Sequence, residues 1–109
     1  MATKEQLFIC HRIMDLCAKL SAQKVGIFSF SYSGIADMAS VYAYQPQGYE
    51  AESLEYIEGW TSTDEGNTVY LGDWYHDNYG EQGECINRLC ALEAKLAALL
   101  ITDEDGIPV

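Results

Sequence analysis

Between Lys24 and Arg88 the chain has no Lys or Arg. Six Lys and Arg stand against seventeen Asp and Glu over 109 residues, a formal charge of −11 at neutral pH. The deficit is uneven. Residues 1–49 hold four bases and three acids, whereas residues 50–109 hold two bases and fourteen acids. A surface short of positive charge argues against nucleic acid or an anionic membrane as a direct partner, because both require it. The complementary partner is a basic protein surface or a cation. The plain alternative is solubility alone, since an acidic protein stays monodisperse by self-repulsion.

Other absences narrow the function further. No run of about 18 apolar residues occurs, so no membrane span is expected. The N-terminal MATKEQLF lacks the basic and apolar regions of a secretory signal, and the expected location is cytoplasmic. None of the four cysteines forms a C-x-x-C pair, which removes zinc-knuckle and thioredoxin-like readings. G-x-S-x-G, H-E-x-x-H, P-loop and G-x-G-x-x-G motifs are all missing, and only two His are present. No enzyme, cofactor or metal is therefore expected. No repeat, low-complexity segment or linker divides the chain. One domain over 1–109 is expected, with residues 102–109 as a frayed tail.

What is present is a clear alternation of periods. Thr3 and Gln6 form a capping box for a helix over about residues 3–22. Its apolar face is Leu7, Ile9, Cys10, Ile13, Met14, Leu16, Cys17 and Leu20, with Phe8 on the polar side. KVGIFSFSYSG and MASVYAYQPQ alternate around SGIAD and predict a β-hairpin, with Phe28, Phe30 and Tyr32 on one face and Ile27, Ser29 and Ser31 on the other. SLEYIEGWTST and NTVYLGDWY flank the turn-rich DEGN and predict a second hairpin, although AESLEYIE could also be helical. From about Glu84 to Ile101 the period returns to that of a helix. The expected fold is α+β and two-layered: a four-stranded antiparallel meander, α-β-β-β-β-α, with both helices on one sheet face.

The C-terminal helix has two apolar stripes. Leu89, Leu92, Leu96 and Leu99 form one, and Ile86, Cys90, Ala97 and Ile101 the other. One would pack on the sheet and the second on the first helix, with Glu93 at the seam paired to Arg12, Lys19 or His11. Alternatively, the second stripe is a homodimer interface. All four cysteines are expected to pack as small core residues.

Two constellations bear on function. Asp73, His76 and Asp77 spell D-x-x-H-D, which on one helix face could bind a metal or support general-base chemistry. Gly72, Asn78, Gly80 and Gly83 break such a helix. The larger pattern is that all eight Tyr and both Trp lie between Tyr32 and Tyr79, inside the base-free stretch and interleaved with acids. Tyr and Trp are interface residues, and carboxylates among them pair with Arg. Alternate strand residues such as Glu50 and Glu52 lie about 6.6–7 Å apart, close to the phosphate spacing of a nucleic-acid strand. The candidate partner-binding residues are Glu50, Glu52, Glu55, Glu58, Asp64, Glu65, Asp73, Trp74, Tyr75, Asp77 and Tyr79.

In size, acidity, element order and its Tyr-, Asp- and Glu-rich middle over residues 32–84, the chain resembles small phage or mobile-element inhibitors of the anti-CRISPR and DNA-mimic anti-restriction type. That resemblance implies stoichiometric inhibition of a basic, nucleic-acid-binding host-defence complex. Two further classes fit the same composition: an immunity protein for a basic toxin nuclease or an acidic secretion chaperone, and a small enzyme or metal protein centred on His76.

Overall fold

In the computed structural model the described residues are 2–44, 57, 59–71 and 82–107. They form helix α1 (Lys4–Ala22), strands β1 (Ile27–Ser33) and β2 (Met38–Tyr44), a single 3-10 turn (Glu65–Asn67), strand β3 (Thr68–Tyr70) and helix α2 (Gln82–Ala97). The class is α+β, as expected, but among the described residues the sheet has three antiparallel strands in the order β1-β2-β3, and no fourth strand is found.

Helix α1 starts where its capping box puts it. The Thr3 hydroxyl accepts from Gln6 N at 3.1 Å, and the Gln6 carboxamide oxygen accepts from Thr3 N at 3.0 Å. Two otherwise orphaned donors at the helix start thus find acceptors. The Gln6 side chain has a second task, because its Nε2 donates to Cys85 Sγ on α2 at 3.3 Å. At the other end, Lys24 takes the left-handed conformation at φ 60°. Val25 N then donates to Leu20 O at 3.1 Å and Lys24 N to Ser21 O at 3.2 Å. This crossed pair is a Schellman ending, in which the lysine fills the position that glycine usually takes.

The β1–β2 hairpin forms as predicted. Phe28 lies opposite Ala43, Phe30 opposite Val41 and Tyr32 opposite Ala39, while Ala39 faces Val69 of β3. These residues share the face covered by the helices, where Ile13, Leu20, Leu71, Leu89, Leu92 and Leu96 complete one buried core. The hairpin loop ends at Asp37, also left-handed at φ 52°. Its carbonyl accepts from Leu71 N at 2.7 Å, which ties the loop to the end of β3.

The second hairpin is where expectation and structure part. Asp64 Oδ1 accepts from Gly66 N at 2.9 Å, so DEGN winds into a 3-10 turn instead of reversing between two strands. Upstream, Gly59 adopts φ 85°, a region that side-chain-bearing residues avoid. The chain doubles back there: Trp60 N donates to Ile57 O at 2.9 Å, and the two residues make an isolated bridge. Trp60 is sent into the core, 5% exposed, with its ring edge-on to Phe28 at 5.4 Å. Residues 53–56 and Glu58, in the other part of the expected third strand, lie outside the described residues.

Helix α2 stops at Ala97, short of the expected Ile101. Leu99 N and Leu100 N turn back to Leu96 O and Ala97 O, tightening the last turn. Ile101 leaves the helix and is clasped by the Gln23 carboxamide, which accepts from its N–H at 2.8 Å and donates to its carbonyl at 3.0 Å. Beyond it, the stretch expected to fray holds a closed turn, with Asp103 Oδ1 accepting from both Asp105 N and Ile107 N at 2.9 Å.

Candidate interaction surface

Of the expected partner-binding residues, Asp64 and Glu65 are described. Glu50, Glu52, Glu55, Glu58, Asp73, Trp74, Tyr75, Asp77 and Tyr79 lie outside the described residues, and so does His76. Glu65 is exposed. Asp64 is already engaged within the chain. Besides capping the 3-10 turn, its Oδ2 lies 2.9 Å from Lys95 Nζ. The Gly66 amide, followed by Lys95, holds the Asp64 carboxyl below the usual carboxylate range. Lys95 also reaches Asn67 Oδ1 and sits 4.9 Å from the centre of the Trp60 ring. Asp64 therefore locks the 3-10 turn onto α2, a role that its place in an acid-rich loop did not reveal. Arg88 and Lys95, the two bases of the acidic half, line one hollow of about 260 Å³ with Asp64.

The sheet face turned away from the helices is a second surface. It is built from the alternate strand positions Ile27, Ser29, Ser31 and Ser33 on β1, Met38, Ser40, Tyr42 and Tyr44 on β2, and Thr68 and Tyr70 on β3. None of these ten positions is charged. Hydroxyls, tyrosine rings and two aliphatic side chains line the face. Tyr42 is 52% exposed, and Ser29 and Ser31 beside it are exposed. Toward β3 the face is largely closed to solvent: Ser40 is buried, Met38, Thr68 and Tyr70 are half-buried, and Ser40 and Thr68 share a hydroxyl hydrogen bond of 3.1 Å. Tyr32 points to the other face, where its hydroxyl donates to Asp37 Oδ1 at 2.6 Å. That hydrogen bond is the main reason the phenol is held above its ordinary pKa. The aromatic residues between Tyr32 and Tyr79 are thus divided in use, with Trp60 structural and Tyr42 open to solvent.

A third feature lies between the helices. Glu93 pairs with Arg12, one of its three expected partners, through Nε and, at 2.9 Å, through Nη2. Arg12 also lies over the exposed Phe8 ring at 5.2 Å from its centre. Next to this pair is a groove of about 390 Å³, lined by Arg12, Asp15, Leu16, Cys90, Glu93, Ala94 and Ala97. The second stripe of α2 is thus open where it was expected to be covered by the first helix: Cys90 and Ala97 are exposed, and only Ile86 packs against the core. Cys10, Cys17 and Cys85 are buried and free, and burial pushes each thiol up to about 11. Cys90 corrects the expectation of four core cysteines. The apolar arc of α2 is wider than the surface that α1 and the sheet cover, and Cys90 falls on its uncovered margin.

Among the described residues, no group of three or more His, Cys, Asp or Glu is placed to hold a metal ion. No described helix is long and apolar enough to cross a membrane. Compared with protein-family models, curated proteins and solved structures, the chain matches none.

Proposed function

We propose that this chain is a non-enzymatic acidic binding protein that inhibits a basic, nucleic-acid-binding partner by occupying its cationic surface, as DNA-mimic inhibitors do. The observation that carries the reading is the uncompensated acid excess of residues 50–109, fourteen acids against two bases. Internal pairing does not reduce that excess. The described ion pairs, Arg12 with Glu93, Lys19 with Asp15 and Lys95 with Asp64, each use a base as well as an acid. Lys95 and Arg12 are thereby engaged within the fold. The long-range field of the chain attracts positive surfaces and repels phosphates.

Competition tests the reading. A partner recovered from the cell that makes this protein should bind either the chain or duplex DNA, but not both. Reversing Glu50, Glu52, Glu55 and Glu58 together to Lys should weaken the complex by at least about tenfold, or ~1.4 kcal/mol. A stable ternary complex with DNA, or full affinity in the reversed variant, would count against it.

A further inference from the structure

We propose that the uncharged outer face of the sheet around Tyr42 is where arginine side chains of a basic protein partner dock, and that this face prefers arginine to lysine. The inference rests on the acidic-binder reading, which supplies the positive charge of the partner, and adds to it a surface and a side-chain preference.

Tyr42 on β2 is half exposed and lies directly opposite Ser29 on β1. Ser29 and the next outward position, Ser31, are both exposed, and Tyr44 follows Tyr42 along the same face. Among the described residues the patch offers ring faces and hydroxyl oxygens and no charge. Such a surface separates the two basic side chains. A guanidinium is planar and weakly hydrated, so it can stack on a ring while its N–H groups donate sideways to hydroxyls. An ammonium is a strongly hydrated point charge and gains less from an uncharged face.

Elsewhere in the fold rings bear cations of both kinds, each beside a carboxylate. Arg12 lies over Phe8 with Glu93 beside it, and Lys95 lies over Trp60 with Asp64 beside it. In each case a ring bears the cation and a neighbouring carboxylate balances its charge. At the outer face the ring is present and the balancing charge is the acid excess of the whole chain. A second copy of this chain is the wrong occupant, since two bodies of charge −11 repel.

Arginine and lysine homopeptides of equal length are suitable probes, with affinity measured by calorimetry and contacts by amide chemical shifts. The arginine peptide should bind roughly fivefold more tightly, about 1 kcal/mol. It should shift the Ser29, Ser31, Tyr42 and Tyr44 amides more than the lysine peptide does. Tyr42→Ala should erase the preference, and Tyr42→Phe should keep most of it. If Tyr42→Ala fails to fold, the shift map of the unaltered protein decides alone. Equal binding of both peptides, or shifts away from this face, overturns the inference and leaves the acidic-binder reading standing. Binding of neither peptide overturns both.

Discussion

Cysteine reactivity separates the residues of this chain by environment more sharply than composition can. Cys10, Cys17 and Cys85 sit in the core, where desolvation raises each thiol to about 11 and keeps it protonated. Cys90 stands open on the margin of the groove between the helices. A chromogenic disulfide reagent should therefore titrate one thiol quickly in the native protein and the other three only after denaturation. Cys90→Ser should remove the fast phase; more than one fast thiol would contradict this placement of the helices. The distinction could not be read from sequence because Cys85 and Cys90 both fall within one wide apolar arc. Which margin of such an arc is covered depends on how the helices pack. Asp64 is a similar case. A turn-rich DEGN announces a change of direction, but the capture of Asp64 by Lys95, thirty-one residues away, is tertiary. That contact and the Gly66 amide select a 3-10 turn over a hairpin.

At the scale of elements, local signals proved reliable. The Thr3–Gln6 capping box and the alternation of IFSFSYS and MASVYAY depend on neighbours in sequence, and α1, β1 and β2 follow them closely. The expected four-strand meander failed where the decisive features were a positive φ at Gly59 and the burial of Trp60, neither of which leaves a periodic trace. A β-carbon at Gly59 would lie 2.8 Å from Leu99 Cδ2, a side-chain end that can shift, so it is the positive φ that calls for glycine. The contact between α1 and α2 was legible through one residue, Glu93, a charge within an apolar arc that demanded a partner. Arg12 supplies it at a partly exposed seam, with side-chain exposures of 44% and 23%. Solvent screening limits its worth. A double-mutant cycle on Arg12→Ala and Glu93→Ala should return a small favourable coupling that shrinks in salt. A coupling near zero would mean that the two helices are held by their apolar residues alone.

For the molecule as a whole, charge is the property most directly read from sequence and least altered by folding. Pairing within the chain engages Arg12, Lys19 and Lys95 and leaves the net charge at −11. The expected interaction surface is legible in part. Most of its acids lie outside the described residues, and the described outer sheet face, built from other residues, presents tyrosine and serine. Composition located the aromatic residues but not which side of the sheet they occupy, and the division between Trp60 in the core and Tyr42 at the surface is set by the turn at Gly59 and the strand register. On the proposed function, both surfaces would meet a partner rich in arginine. The most direct measurement of this view is the salt dependence of association with the partner recovered from the native cell, followed from low to high ionic strength. An acidic mimic should associate rapidly at low salt, with an on-rate and affinity that fall steeply as salt rises. Association unchanged across that range would contradict it.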